Sequence, residues 1–165
     1  MGNINTYMKE LVESNSVGFY ATIDKSGLPC VSPKGTSVVL DEETILFGNI
    51  RSPNTISNIK LNPAMEVNFL DVLSRRGFRA RGKAHYIERD SNEFDQMISS
   101  FSKWDSLIDR FKGIVVLKVS SAQGLKSPVY DIGCTEEESY GINGKNIIRI
   151  SKSCQMGFYA NLSSR

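Results

Sequence analysis

The sequence predicts a mainly β fold, a β-barrel with peripheral helices, and within that class a six-stranded antiparallel Greek-key split barrel. Three observations support this prediction. Short segments rich in β-branched and aromatic residues recur along the chain. The turn sequences between them are short enough for antiparallel hairpins. The helical patterns fall between hairpins, which favours a barrel over a doubly wound α/β sheet.

The first elements are a helix and a β-hairpin. Residues 1–13 place apolar side chains at helical spacing and predict a short amphipathic helix, which should stop near residues 15–18. Residues 17–23 and 28–33 are strand-like and flank a turn that ends in Gly27. We therefore expect these two segments to pair as a hairpin.

The next segments complete three antiparallel strands and add a helix. We interpret residues 38–40 as a continuation of the sheet, followed by a turn and a short apolar strand over residues 44–48. Ser52 can cap a helix whose first helical position is Pro53. Proline suits that position because a backbone N–H there would have no acceptor within the helix, and proline has none. The helix is expected to end before Pro63.

A second hairpin is predicted by residues 64–72 and 77–88. Along 77–88, small apolar residues alternate with cations, so one face of the strand is apolar and the other cationic. The cations of this face are Arg79, Arg81 and Lys83. An amphipathic helix around residues 94–101 and a β-branched strand over residues 113–119 bring the totals to six strands and three helices.

Composition excludes several classes of protein. The formal net charge of +2 is too small to attract a nucleic acid by itself. The three cysteines are odd in number and scattered, which argues against a disulfide framework or a zinc site and favours reduced thiols. An apolar run of about 18 residues is absent from the sequence, so no transmembrane helix is predicted. The start of the chain lacks the pattern of a secretory signal, and we expect a cytoplasmic protein with no membrane partner.

The stretch between residues 31 and 62 has the residue types of an anion site. The end of one strand supplies a lysine and a glycine, and glycine lets the backbone approach a ligand closely. The end of another strand is followed by a guanidinium, two hydroxyl groups and the start of a helix, which all favour an anion. The candidate residues are Ser32, Pro33, Lys34, Gly35, Phe47, Gly48, Arg51, Ser52, Asn54 and Thr55. Together they predict a cradle for the phosphate of a cofactor.

With these elements in order, the chain resembles the pyridoxamine 5′-phosphate oxidase-like family of FMN-binding split barrels. The resemblance spans about residues 11–119 and extends more weakly to residues 127–133. It rests on Ser32-Pro33-Lys34-Gly35, on Gly48-Asn49 with Arg51, Asn54 and Thr55, on Asn58-Ile59 with Asn62-Pro63, and on residues 77–84. It implies FMN at the interface of a homodimer, with an FMN-binding split-barrel domain over residues 1–123 and a partly irregular C-terminal extension over residues 124–165.

The resemblance also implies roles for individual residues. Arg51 would pair bidentately with the FMN phosphate, and Ser52 and Thr55 would donate hydroxyl hydrogen bonds. Asn54 would cap the helix or bond nearby. Lys34 would neutralise the phosphate or lie near the flavin ring.

The cationic strand leaves several interpretations open. Arg79 and its neighbours could meet the pyrimidine edge of a flavin from the other protomer, an anionic substrate, or the acidic residues 136–138, or they could simply be solvated. A barrel with such a strand could also bind single-stranded nucleic acid, with Phe78 or Tyr86 stacking on bases. The low net charge argues against that alternative.

The expected function is that of an FMN-dependent oxidoreductase acting on an unidentified small molecule, with NAD(P)H among the electron donors to consider. Because flavin carries the redox chemistry, no general acid or base is obligatory, and we assign no catalytic residue and no metal ligand. The single histidine, His85, receives no role. A non-enzymatic FMN carrier is the alternative, and family members that use deazaflavin or handle haem remain open. Oxidation of pyridoxamine phosphate itself is disfavoured, because the arginine-rich C-terminal segment it requires is reduced here to Arg149 and Arg165.

Overall fold

The structure, a computed structural model, describes residues 3–138. Seven strands form one sheet in the order β2-β1-β5-β6-β7-β4-β3, and the predicted mainly β split-barrel class is confirmed. The strands are β1 Gly18–Ile23, β2 Pro29–Lys34, β3 Ser37–Asp41, β4 Thr44–Asn49, β5 Ala64–Asp71, β6 Arg76–Glu88 and β7 Gly113–Lys126. The predicted number of strands, six, is wrong by one.

The additional strand comes from residues 38–40, which do not continue the strand before them. They belong to β3, and β2 and β3 lie at opposite edges of the sheet. Only Gly35 and Thr36 connect these two strands. Because three peptide steps reach at most about 11 Å, the two edges must come close together at this point. The sheet therefore curls into a split barrel.

The first two helices precede β1 and connect β4 to β5, as predicted, but the third predicted helix is divided. The helices are α1 Thr6–Ser14, α2 Pro53–Leu61, α3 Asn92–Met97 and α4 Asp105–Ile108, with 3-10 helices over Ile98–Trp104 and Pro128–Ile132. The division occurs at Phe101, whose backbone leaves helical geometry and whose ring is fully buried against Phe111. Burial of that ring decides the local backbone. No helix of the described residues is long and apolar enough to cross a membrane.

Two layers of core cover both faces of β4 and of the first half of β7. Ile45 and Phe47 of β4 point into the barrel, where they pack with Tyr20 and Phe69. Leu46 points to the other face, into a second cluster formed with residues of α3, of the following 3-10 helix and of β7. Every residue of β4 is consequently buried. This explains why the segment is a continuous apolar run instead of an alternating one.

The described residues divide into two compact units. The first comprises residues up to 70 together with 77–125, and it contains the barrel and helices α1 to α4. The second comprises residues 71–76 and the described residues 126–138. In the second unit the Tyr130 hydroxyl donates to the Ser74 carbonyl, and Arg76 Nη1 lies 2.6 Å from Glu136 Oε2. The predicted domain boundary at residues 123 and 124 stays a prediction. The sequence Gly-Phe-Tyr-Ala at residues 18–21 recurs at residues 157–160, which lie outside the described residues.

Candidate functional site

A cavity of about 410 Å³ lies between the paired strands β1 and β2 and the N-terminus of α2. We call it the anion cavity. Its walls include six of the residues predicted to bind a phosphate: Ser32, Lys34, Arg51, Ser52, Asn54 and Thr55. The structure thus brings together residues that are up to 23 positions apart in the sequence. The lining residues include no aspartate or glutamate.

The N-terminus of α2 contributes to this cavity. Pro53 occupies the first turn and Ser52 the N-cap position, as predicted. Among the described residues, however, the Ser52 hydroxyl finds no capping hydrogen bond, and the backbone of Ser52 (φ −135°, ψ 53°) departs from the extended conformation usual at this position. Ser52 therefore occupies the predicted N-cap position, but its side chain does not make the predicted capping hydrogen bond. The hydroxyl and the first-turn N–H groups remain available to an anion.

Lys34 places a cation on the opposite wall. Its Nζ donates to Ser32 Oγ at 2.6 Å and lies 5.8 Å from the centre of the Phe47 ring. Partial burial lowers the pKa of Lys34, because a desolvated ammonium is less stable. Arg51 is exposed and forms no ion pair within the described part of the chain. Both cations thus lack a carboxylate partner here, which favours an anionic ligand.

The inner wall of the cavity contains residues that sequence reasoning missed. Asn58 Nδ2 donates to Thr22 Oγ1 at 3.0 Å, and both side chains are buried. Thr22 pairs with Cys30 in the register of β1 and β2, so the Cys30 thiol lies on the same wall. Alternation along β2 could have indicated Cys30, since it shares a strand face with Ser32 and Lys34. Thr22 could not be found without the register of the hairpin.

The other predicted cofactor-binding residues do not line this cavity. Phe47 is buried in the barrel core beside Tyr20. Gly48 is buried too, and a Cβ there would lie 2.1 Å from the Phe111 ring, so glycine is required for packing. Pro33 and Gly35 are exposed and also lie outside the cavity lining. Their contacts with a cofactor stay predictions.

The cationic strand faces outward, as its alternation predicted. Arg79 donates through Nη2 to Gln123 Oε1 at 2.7 Å and through Nε to the same oxygen at 3.2 Å. Arg81 Nε lies 3.9 Å from Glu66 Oε2. Of the acidic residues considered as partners for this strand, Glu136 pairs instead with Arg76. Arg79 also lies outside the anion cavity, and its predicted contact with FMN stays a prediction.

A split barrel with an anion cavity at the start of its second helix defines the class of this protein. Within that class, the sequence pattern of the family described as pyridoxamine 5′-phosphate oxidase matches residues 4–125. The chain belongs to this family, and the predicted membership is confirmed. No curated protein matches the chain.

Solved structures with a similar fold include HupZ from Group A Streptococcus, which is 24% identical, with a TM-score of 0.65 over 75% of this chain and 95% of that chain. An FMN-binding protein from Syntrophomonas wolfei is 15% identical, with a TM-score of 0.60 over 73% of this chain and 84% of its own. An F420 reductase is 20% identical, with a TM-score of 0.56 over 73% and 98% of the two chains. At these identities the likeness establishes the fold.

Proposed function

We propose that the protein is a flavoprotein that binds FMN, with the FMN phosphate in the anion cavity. The observation that carries this proposal is the convergence of Lys34, Arg51 and the uncapped start of α2 on one cavity whose lining residues include no carboxylate. A phosphate monoester carries up to two negative charges and several acceptor oxygens at neutral pH, which suits this set of donors. Arg51 would bind bidentately, and the hydroxyl groups of Ser52 and Thr55 would donate the remaining hydrogen bonds.

We further propose that FMN lies at the interface of a homodimer. An apolar patch on the outward face of β2, β1 and β5 supports this proposal. Phe19, Val31 and Leu70 are 48%, 65% and 45% exposed on that face. Contiguous exposed apolar side chains are typical of surfaces that a protein partner covers. A second copy of the chain is the partner that family membership favours.

The proposed activity is that of an FMN-dependent oxidoreductase acting in the cytoplasm on a small molecule, with NAD(P)H as a candidate electron donor. When bound, FMN supplies the electron-transfer chemistry. The residues of the anion cavity then need only hold the phosphate and fix the position of the cofactor. A flavin carrier without turnover is the competing function, and it requires the same cavity.

Binding of FMN is tested by the visible absorption spectrum and by calorimetric titration of the purified protein with FMN and with riboflavin, which lacks the phosphate. We expect one FMN per protomer and much weaker binding of riboflavin. Arg51→Ala should weaken FMN binding by about 1.5 to 3 kcal/mol, the usual range for hydrogen bonds between charged groups, and should leave riboflavin binding unchanged.

Arg110→Ala removes an exposed arginine outside the anion cavity and serves as the matched control. Equal affinities for FMN and riboflavin would contradict the proposed phosphate site.

Turnover is tested separately on the FMN-loaded protein. Loss of the visible flavin band on anaerobic addition of NADH or NADPH, followed by its return with an electron acceptor, is the result expected of an oxidoreductase. A flavin that stays oxidised with every donor would support the carrier instead.

A further inference from the structure

The two cations of the anion cavity come from distant strands of the barrel. Lys34 is the last residue of β2, an edge strand whose one neighbour in the sheet is β1. Arg51 and the start of α2 follow the end of β4, which lies between β7 and β3. The position of one strand end relative to the other decides whether both cations can reach a single anion. Contacts that join the ends of β2 and β4 therefore matter for the site even where they do not line it.

The end of β4 is anchored to the body of the barrel. Lys112 N donates to the Asn49 carbonyl at 2.7 Å, and Asn49 Nδ2 donates to the Tyr86 hydroxyl at 3.3 Å. That hydroxyl donates in turn to the Lys112 carbonyl at 2.6 Å. The three hydrogen bonds form a closed circuit between β4, β6 and the residue before β7. The backbone is thus fixed at Asn49, close to Arg51 in the chain.

Thr36, in the connection between β2 and β3, joins the end of β2 to β4. The Thr36 hydroxyl donates to the Gly48 carbonyl at 2.8 Å, and Gly48 N donates to the Thr36 carbonyl at 3.3 Å. Thr36 is only 8% exposed, so this reciprocal pair is shielded from water. Gly35, the other connecting residue, is exposed, and a Cβ there would meet no neighbouring atom of the described residues within 4 Å. Packing therefore does not hold Gly35, and Thr36 is the fixed point between Lys34 and β4.

We propose that Thr36 is a positioning residue for the anion cavity: its hydroxyl holds the end of β2 against β4 and so keeps Lys34 at the distance from Arg51 at which both bind one phosphate. This inference rests on the proposed function, since it concerns the same cavity. Thr36 does not line that cavity, so its hydroxyl acts through the backbone and not by contact with the ligand. Preorganised cations bind an anion more tightly than cations that must be ordered on binding. Loss of the hydroxyl should therefore lower the affinity for FMN and spare that for riboflavin.

The test is calorimetric titration of the full chain and its variants with FMN and with riboflavin. Thr36→Val removes the hydroxyl but keeps the β-branched shape and the backbone hydrogen bond to Gly48. We expect it to weaken FMN binding about fivefold, within the range of one neutral hydrogen bond, and to leave riboflavin binding unchanged. Thr36→Ser keeps a hydroxyl and should restore most of the FMN affinity. If circular dichroism shows that Thr36→Val is unfolded, Thr36→Ala replaces it, because it removes the same hydroxyl without adding a methyl group.

Thr44→Val is the matched control, because it removes a buried threonine hydroxyl from the opposite end of β4. That hydroxyl accepts from Lys118 Nζ at 2.9 Å and lies outside the anion cavity. Thr44→Val should leave the ratio of FMN to riboflavin affinity unchanged, even if urea denaturation shows that it destabilises the fold. An equal loss of FMN affinity in both valine variants would assign the effect to general destabilisation and overturn the proposal. Failure of Thr36→Ser to restore FMN binding would also overturn it.

A double variant shows whether the hydroxyl acts through Lys34. In Lys34→Ala the distance between the two cations no longer matters, so adding Thr36→Val should cause no further loss of FMN affinity. The same loss in both backgrounds would show that Thr36 acts independently of Lys34 and overturn the proposal.

The wild type distinguishes failure of this inference from failure of the proposed function. Equal affinities of the wild type for FMN and riboflavin would contradict the phosphate site as a whole, and the positioning role with it. A preference for FMN that Thr36→Val leaves intact would overturn the positioning role alone.

Discussion

The hydroxyl groups of Tyr20 and Ser37 lie 2.9 Å apart inside the barrel, although Tyr20 is on β1 and Ser37 is on β3, the strand at the far edge of the sheet. Both side chains are buried, and burial raises the pKa of the Tyr20 phenol, so the group stays protonated and can donate a hydrogen bond. The pair therefore joins the two sides of the curled sheet close to the two-residue connection between β2 and β3. The edge strands β2 and β3 are not neighbours in the sheet order, so this side-chain hydrogen bond links the two sides of the sheet where the barrel closes.

Loss of this bond should destabilise the barrel. Tyr20→Phe removes one hydroxyl and leaves that of Ser37 buried without its partner, and we expect a loss of about 1 to 3 kcal/mol in the free energy of unfolding. The double variant Tyr20→Phe with Ser37→Ala should recover part of that loss, because no unpaired hydroxyl remains. Urea denaturation of the wild type, Tyr20→Phe, Ser37→Ala and the double variant measures the coupling energy between the two hydroxyl groups. Costs that add within about 0.5 kcal/mol would show that the two hydroxyl groups act independently.

Much of the fold could be predicted from local pattern. The alternation of Phe78, Ala80 and Ala84 with cations marks β6, and Pro53 marks the first turn of α2. Both signals lie within a few residues of the element they define. The place of β3 could not be found in this way, because the sequence around Gly35 indicates a break but not which edge the next strand joins. Burial of Phe101, which divides the third helix, depends likewise on residues distant in the chain.

The candidate site shows the same limit. Arg51, Ser52, Asn54 and Thr55 are near one another in sequence, and a helix start places them together without further information. Phe47 is also a predicted cofactor contact, but the pleat of β4 turns its ring into the core, and that contact stays a prediction. Residue spacing thus located the segments, and only the paired strands decided which side chains face the cavity.

Ser52 provides a test that separates binding from helix stability. Because its hydroxyl makes no capping bond, Ser52→Ala should change the free energy of unfolding by less than about 0.5 kcal/mol. The same variant should weaken FMN binding by about 0.5 to 3 kcal/mol, the range that extends from a neutral to a charged hydrogen bond. Calorimetry and urea denaturation measure the two effects.

Ser91 is the matched control for that variant. Its Oγ accepts from Phe94 N at 3.2 Å and caps α3, which lies outside the anion cavity. Ser91→Ala should therefore cost about 1 kcal/mol of stability and leave FMN binding unchanged. If Ser52→Ala loses stability as Ser91→Ala does and keeps its FMN affinity, the hydroxyl of Ser52 is structural.

Lys34 should make FMN binding sensitive to pH. Burial lowers the pKa of Lys34 below its ordinary value of 10.5, and only the protonated ammonium attracts the phosphate. Above the pKa of the free protein, binding must take up a proton, so FMN affinity should fall as the pH rises, beginning below the range of an ordinary lysine. Lys34→Arg keeps its charge at these pH values and should remove the fall. Titrations with FMN across alkaline pH measure the slope, and riboflavin controls for ionisation of the ring. A slope that persists in Lys34→Arg would assign it to another group.

Cys30 offers a readout of the cavity that needs no change to the site. Its thiol is partly exposed on the wall that also carries Ser32 and Lys34, whereas Cys134 is partly exposed in the second unit. A phosphate bound between Lys34 and Arg51 would limit access to Cys30 and repel a negatively charged reagent.

We therefore expect FMN to slow the alkylation of Cys30 by iodoacetate several-fold and to leave the rate at Cys134 unchanged. Mass spectrometry of the separate peptides follows the two rates. Riboflavin should protect much less, because it lacks the phosphate. Equal protection of both cysteines would point to a general change in the protein, and protection of neither would place FMN away from this wall of the barrel.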